Sequence, residues 1–467
     1  MAKLTFLGAI EGVTGSCYLL TTDNTQILLD CGLFQGRKEE EEANLRPLPL
    51  DIDAIDAVVL SHAHLDHSGR LPLLVLQGLS CPIYMTWPTC DLIEVLLKDA
   101  ASLQERDAQW KNRRRRRSGK EEAEPLYRLE DVEETLSYLQ GVDYYQTITV
   151  ADDIVINFQD AGHILGSAIV EVFIQEGGRE KKLVFSGDLG NSQAALLNDP
   201  DRVESADILL LESTYGDREH RSMEDTLKEF EGVIEDASLN AGNILIPAFA
   251  VGRTQEIIFR LGELYQQGKL RHQVVYLDSP MAIAVTEIYH RYQNYYSSED
   301  RQVMKGKNNH KSLHSFLPIL RYSTTTAESM ALNNIDSGAI IIAGSGMCNG
   351  GRIRHHLKHN LWRRQSHVIF VGFQAMGTPG RDLVDGVKSY RIAGENVVVK
   401  ASIHTSGGFS AHASQSQLID WVEGFTDKKP KIFLVHGEEE AKTTLQSALK
   451  EIGRHAEIPS LNQVIEF

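Results

Sequence analysis

The sequence has no apolar run approaching 18 residues, which excludes a helix that could cross a bilayer. Its five cysteines (Cys17, Cys31, Cys81, Cys90 and Cys348) are odd in number and none has C-x-x-C spacing. Neither a disulfide framework nor a cysteine zinc site is encoded. Positive charge is short as well: 47 Lys and Arg against 64 Asp and Glu leave −17. That balance argues against a broad surface for non-specific nucleic-acid binding, and leaves a local positive patch to hold any polyanion. Residues 1–8 lack the apolar core of a signal peptide and read as a strand. With the cysteine usage, this predicts a reducing, cytoplasmic setting and no membrane partner. At 467 residues the chain predicts two or three domains, and 42% hydrophobic with 24% charged residues is the composition of a soluble globular protein.

Histidine, by contrast, is concentrated. Residues 61–67 read Ser-His-Ala-His-Leu-Asp-His, an H-x-H-x-D-H cluster of His62, His64, Asp66 and His67. The apolar run 56–60 before it suits a buried strand, and Ser68-Gly69 breaks the chain before a helical pattern over 70–76. The cluster therefore sits in a loop leaving a strand. Three imidazoles and a carboxylate so close together suit a borderline cation such as zinc, and solvated surface histidines would not need such density. In an extended segment His62 and His64 point the same way, whereas the adjacent Asp66 and His67 diverge. The simplest solution is two ions, His62 and His64 on one, Asp66 and His67 on the other.

Short strands are predicted over 3–8, 17–21 and 26–30. The third ends in Asp30, whose carboxylate is expected to orient a metal-binding histidine rather than staple the loop 31–36. Residues 88–140 read mainly as helix, interrupted by five consecutive arginines at 113–117 and an acidic stretch at 121–124. The plainer reading of that run is a mobile, solvated excursion. The sharper one is a phosphate-attracting arm, since arginine forks match phosphate oxygens. Strands over 154–158, 168–174 and 182–185 follow. They lead into Gly162-His163 and Gly187-Asp188, where glycine lets the backbone approach ahead of a potential ligand. Beside the first cluster, His163 and Asp188 read as further ligands.

After a strand at 207–211 and Glu212 the grammar changes. Helices over 223–237, 253–267 and 281–292 alternate with strands over 244–247, 274–277, 339–343 and 368–371, the pattern of an α/β layer with parallel strands. The turn 344–351 is Gly-rich but fits neither the dinucleotide fingerprint nor a P-loop. Its N–H groups, those of Ser345, Gly346, Gly350 and Gly351 among them, are predicted to meet phosphate together with Arg352, Arg354 and Lys358 on the next helix. The tail returns to histidine, with His404 and His412 in a small-residue stretch and His436 ending a strand over 431–435. The predicted organisation is residues 1–208 and 397–467 as one domain, with 209–396 inserted.

These motifs together resemble the β-CASP ribonucleases of the metallo-β-lactamase fold, over essentially the whole chain. That group includes the endonuclease subunit of the eukaryotic pre-mRNA cleavage and polyadenylation factor and its bacterial and archaeal relatives. The stretch His404-Thr405-Ser406-Gly407-Gly408-Phe409-Ser410 is similar to that of bacterial members. The resemblance implies an α/β fold, a four-layer αβ/βα sandwich with the α/β β-CASP domain inserted as a clamp. It assigns His62, His64 and His163 to one zinc, Asp66, His67 and His436 to the other, and Asp188 as the bridge, giving two zinc ions per chain. Glu212, His412 and His436 fall on the three additional family motifs. Histidine at the third, where DNA-repair members usually carry valine, favours RNA. The arginine run lies outside the family pattern.

The implied activity is two-metal hydrolysis of phosphodiester bonds in single-stranded RNA. Internal cleavage and 5′-to-3′ trimming both stay open. His412 is the candidate acid for the leaving 3′ oxygen, with Glu212 keeping it protonated and aimed; Asp66 completes the catalytic group. Three rivals are a small-molecule hydrolase of this fold, a DNA-acting β-CASP nuclease and an RNA-binding scaffold. The long insertion with its basic helix argues against the first, His436 against the second, and the full ligand set against the third. A homodimer is compatible with the group, though no stretch of this sequence specifies one.

Overall fold

The strand Ile208–Glu212 sends Ile208 and Leu210 into one hydrophobic core and Leu209 and Leu211 into another, as the two-residue period of a strand requires. Its parallel neighbour Lys431–Val435 divides in the same way, Phe433 and Val435 against Ile432 and Leu434. Both faces are covered, which is why these strands are continuous apolar runs. The computed structural model describes the whole chain except Arg37, residues 307–309, Ala393 and the side chain of Lys38.

Two seven-stranded sheets build the first unit. One runs Val464–Glu466, Lys3–Gly8, Cys17–Thr21, Gln26–Leu29, Ala57–Val59, Ile83–Thr86, Leu139–Val142. The other runs Ala456–Glu457, Lys431–Val435, Ile208–Glu212, Arg179–Phe185, Ala168–Glu176, Ile154–Asp160, Ile148–Ala151. Their facing sides share a core in which Phe6 meets Phe433 at 5.4 Å and Tyr18 meets Phe185 at 5.3 Å between ring centroids. The helices Gln415–Glu423 and Glu439–Glu451 cover the second sheet, placing Leu418, Trp421, Leu445 and Leu449 on Leu209 and Leu211. Helices Leu71–Leu76, Trp87–Arg117 and Leu129–Leu136 pack at the far end of the first sheet. This is the expected helix–sheet–sheet–helix sandwich.

A second compact unit comprises Gln193–Asn198 and His220–Ala411. Its six-stranded sheet is parallel throughout, in the order Leu320–Tyr322, Val274–Leu277, Ala339–Ala343, Ile244–Pro247, His367–Phe370, Ser402–Thr405. The limits differ from the expected 209–396. Ile208–Glu212 belongs to the first unit because it pairs with Arg179–Phe185 and Lys431–Val435. Ser402–Thr405 is the edge strand of the second unit, paired with His367–Phe370. The arginines at 113–117 do not interrupt a helix either; they are the last turns of the 31-residue helix Trp87–Arg117.

The order of the strands sets up the site. Strands Gln26–Leu29 and Ala57–Val59 run parallel, as do Arg179–Phe185, Ile208–Glu212 and Lys431–Val435. Ile154–Asp160 shares the latter direction through two antiparallel steps. Asp30, His62, His163, Asp188, Glu212 and His436 all fall at or just beyond C-terminal strand ends, so parallel pairing brings them to one edge of each sheet.

Candidate metal centre

The first cluster continues from Ala57–Val59 into a loop and the short helix Leu65–Ser68. His64 Nδ1 lies 3.1 Å from both His62 Nε2 and His163 Nε2. Asp188 Oδ2 closes the group at 3.5 Å from His62 Nε2 and 3.6 Å from His163 Nε2. A tetrahedral ion with bonds of about 2.0–2.2 Å separates its donors by about 3.3–3.6 Å, so these four atoms fit the corners. Asp66, His67 and His436 form the second group. His67 Nε2 is 3.1 Å from His436 Nε2, and Asp66 Oδ2 is 3.9 and 3.5 Å from those two nitrogens.

Asp188 serves both groups with different oxygens. Its Oδ1 lies 3.3 Å from His67 Nε2 and 3.4 Å from His436 Nδ1. It is buried and makes no hydrogen bond among the described residues. An orphaned carboxylate oxygen among imidazole nitrogens is what a cation-binding group looks like, so the residues fit a metal pair. Burial, helped by the His67 charge, pushes the His62 imidazole well below its ordinary pKa and leaves it neutral. Burial alone would raise Asp188, but the surrounding imidazoles, led by His436 and His67, hold it well below the carboxylate range.

Hydrogen bonds decide which nitrogen of each histidine faces inward. His67 Nδ1 meets Asp30 Oδ2 at 2.6 Å, His436 Nδ1 meets Thr214 Oγ1 at 3.1 Å, and His62 Nδ1 meets Ser61 Oγ at 3.1 Å. Asp30 thus contacts the imidazole of a candidate ligand. It is itself fixed by the Ser16 hydroxyl at 3.0 Å and by Ser61, whose N–H and hydroxyl donate at 2.8 and 2.9 Å. Sequence reasoning missed Ser16, Ser61 and Thr214, since nothing distinguishes one serine from another. Asp30 and His436 both have positive φ, 57° and 50°, a conformation uncommon outside glycine that Asp and His enter more readily than most residues. Gly187 also has positive φ, and a Cβ there would lie 2.9 Å from Ala168 O and Ser61 Cβ. The glycine ahead of Asp188 is a packing necessity.

His412 stands beside Asp188, with its Nδ1 3.8 Å from Oδ2 and 3.3 Å from Glu212 Oε1. Glu212 is fully buried and accepts the Leu189 N–H at 2.8 Å and the Thr214 N–H at 3.2 Å. The backbone of His412 pairs with Gly190, so the loop carrying Asp188 also positions the imidazole. Burial works against charge on His412, but Glu212 and Asp188 outweigh it and raise its pKa to about 9.

The Gly-rich turn lies in the second unit and is partly self-bonded. Ser345 N–H donates to Gly350 O at 3.4 Å, and Gly350 N–H donates to Ser345 Oγ at 3.2 Å. A Cβ on Gly351 would sit 2.1 Å from Gly344 O, so that glycine closes the turn. Arg352 does not point to a ligand. Its guanidinium donates to Asp278 Oδ1 at 2.7 Å, Ser323 O at 3.0 Å and Thr324 O at 3.1 Å. Burial would raise Asp278, but hydrogen bonds led by that from His356 bring it to about 2. Lys358 donates to Glu395 at 2.7 Å. Arg354 alone of the three has no carboxylate partner among the described residues. Phe249, 47% exposed, lies where a Cβ on Gly346 would come within 2.8 Å of its ring, an aromatic the sequence did not single out.

A four-layer sandwich with histidines and carboxylates gathered at one sheet edge defines a metallo-hydrolase of the metallo-β-lactamase type. Residues 19–210 match the metallo-beta-lactamase superfamily domain, 254–383 the Beta-Casp domain, and 396–459 the Zn-dependent metallo-hydrolase RNA specificity domain. The chain belongs to the β-CASP family of that superfamily. It is 41% identical to Ribonuclease TTHA0252 of Thermus thermophilus over 445 residues, 95% of this chain and 94% of that one. Transcription termination factor FttA of Methanocaldococcus jannaschii is 32% identical over 94% of this chain and 67% of its own length. FttA of Thermococcus kodakarensis is 33% identical over 98% and 70%. The chain thus spans about two thirds of these archaeal relatives. A crystal structure of a protein of unknown function from Enterococcus faecalis V583 has the same fold, with a TM-score of 0.56 at 14% identity over 99% of both chains.

Proposed function

We propose that the chain is a ribonuclease that hydrolyses single-stranded RNA with the help of two zinc ions. The observation that carries this reading is the division of Asp188 between two donor groups, Oδ2 toward His62 and His163 Nε2, Oδ1 toward His67 Nε2. Two such ions, when bound, neutralise phosphate charge and supply a nucleophile from water at neutral pH. His62, His64 and His163 would hold one, Asp66, His67 and His436 the other. Glu212 fixes the plane of the His412 imidazole and keeps it protonated. His412 gives its proton to the departing 3′ oxygen as the phosphorus–oxygen bond breaks, which leaves the phosphate on the 5′ end of the downstream product.

RNA as the substrate is supported by the named ribonuclease relative and by the RNA specificity match, which contains both His412 and His436. On the RNA side, the turn 344–351 offers N–H groups, with Arg354 as its cation and Phe249 as an exposed ring for a base. Arg352 and Lys358, also expected there, are paired with Asp278 and Glu395. No helix among the described residues is long and apolar enough to cross a membrane.

Metal analysis and a panel of labelled RNA, single-stranded DNA and nitrocefin test the reading together. Two zinc ions per chain, chelator-sensitive RNA cleavage and intact nitrocefin are expected. His412→Ala should keep both metals and lose about 10²–10⁴-fold in turnover, the usual contribution of a general acid. RNA cleavage by metal-free protein would overturn the metal role. Loss of metal from His412→Ala, or a rate loss under about tenfold, would overturn the acid assignment.

A further inference from the structure

The helix Trp87–Arg117 starts at the metal centre and ends far from it. Thr86 and Thr89 hydroxyls at its start donate to Gly166 O at 2.6 and 2.9 Å, three residues beyond His163. At 1.5 Å per residue, Trp110 and Arg117 lie about 35 and 45 Å further along the axis. The chain then folds back over one face of this tip. Asn112 clamps Ala123 at both backbone groups, at 2.7 and 3.0 Å, and Arg116 pairs with Glu122 at 2.6 Å. Arg115 donates to Glu121 O, and Arg128 pairs with Glu124.

Another face stays uncovered. Trp110, Arg113, Arg114 and Arg117 recur at i, i+3, i+4 and i+7, so they share one stripe. Trp110 is 55% exposed, and the Arg114 guanidinium lies 4.4 Å from the centroid of its ring. Arg113, Arg114 and Arg117 are exposed, and none has a carboxylate partner among the described residues. A helix C-terminus favours cations, but only within its last turn and weakly. Like charges three and four residues apart repel, so five adjacent arginines cost stability rather than add it. The acidic stretch 121–124 takes up Arg115 and Arg116, which leaves Arg113, Arg114 and Arg117 as the cations open to an anionic partner. Guanidinium forks fit phosphate oxygens better than lysine would, and a half-bare indole beside them offers a base a stacking surface.

We propose that the stripe of Trp110, Arg113, Arg114 and Arg117 is a second RNA-binding site, which grips the phosphodiester backbone away from the metal centre. It rests on the ribonuclease reading. Long RNA is then held at two points, and RNA too short to reach the tip is held at one. The substrate class that benefits is extended, unstructured RNA.

The test uses the full-length, metal-loaded protein, an unstructured RNA of about 40 nucleotides and a small activated phosphodiester that reads the metal centre alone. Arg113→Glu, Arg114→Glu and Arg117→Glu combined should weaken binding of the long RNA at least tenfold and reduce the slope of log affinity against log salt by about 2. Hydrolysis of the small phosphodiester should be unchanged. Trp110→Ala should weaken binding about fivefold or more with the salt slope intact, since stacking releases no counterions. Affinity and salt slope within twofold of wild type in the triple variant would overturn the proposal. So would loss of a co-purifying acidic protein from that variant with RNA binding intact, which would make the stripe a protein contact. Failure of the ribonuclease reading looks different: wild type itself would not cleave the long RNA, whatever the stripe does.

Discussion

The hydrogen bond between Asp30 and His67 Nδ1 would leave the other ring nitrogen to a metal, and Asp30 makes it from a φ of 57°, a conformation uncommon outside glycine. Asn tolerates that conformation better than other non-glycine residues, which makes Asp30→Asn a test of charge rather than of folding. Metal affinity should fall about 10–100-fold, measured by competition with a chelator, as is usual when a ligand histidine loses its carboxylate. Unchanged affinity would mean that Ser61 alone orients the ring. Residues of this kind divide sharply in how well the sequence exposes them. His62, His64, Asp66 and His67 were legible because their spacing is local and their chemistry unusual. The pairing of Arg352 was not legible, because Asp278 lies 74 positions away and nothing local announces it. Ser61 and Thr214 were invisible for the same reason: their roles come from what the fold brings beside them.

Among the elements, the tightest constraint is the crossing of the loop after Gln26–Leu29 over the helix Leu65–Ser68. A Cβ on Gly32 would sit 1.5 Å from Asp66 O and 2.7 Å from His67 N, both backbone atoms that cannot swing aside. Cys31 N–H donates to His67 O at 2.8 Å and Ser16 N–H to Asp66 O at 2.9 Å, so the crossing is stitched on both sides. Gly32→Ala should push Asp66 and His67 out of register, costing about 1–3 kcal/mol in the apo protein. Because metal binding to the native state adds to stability, the deficit in unfolding temperature should widen when zinc is supplied. An equal deficit with and without zinc would place the damage outside the centre. Strands such as Ile208–Glu212 and Lys431–Val435 could be read from sequence because burial on both faces leaves an apolar run. Ser402–Thr405, with none of its residues fully buried, and the hairpin of Ser389–Ile392 with Glu395–Val398 could not, because edge and surface strands carry no such signature. The helical state of residues 113–117 was hidden too, since arginine repetition resembles a solvated linker while arginine itself favours helix.

For the molecule as a whole, acid should weaken the fold through His272 as well as through the metal centre. Burial, aided by the His367 charge, brings this imidazole to about 4 from an ordinary 6.5. Above pH 6.5 it is neutral folded or unfolded and contributes nothing. As pH falls from 6.5 toward 4, the unfolded chain takes up a proton that the folded chain refuses, so stability drops by about 1.4 kcal/mol per pH unit, roughly 3 kcal/mol in all. Denaturant titrations at pH 7 and 4.5 should show His272→Gln losing roughly 2–3 kcal/mol less than wild type over that interval. Parallel losses would mean that His272 charges in the folded state. The path of the chain has a different kind of consequence. His412 and His436 follow the whole second unit in sequence, and Lys431–Val435 must slot between Ile208–Glu212 and Ala456–Glu457 to deliver the latter. During synthesis the proposed acid and His436 therefore emerge only after the whole second unit. A nascent chain that has exposed only the residues before 412 lacks both the proposed acid and His436.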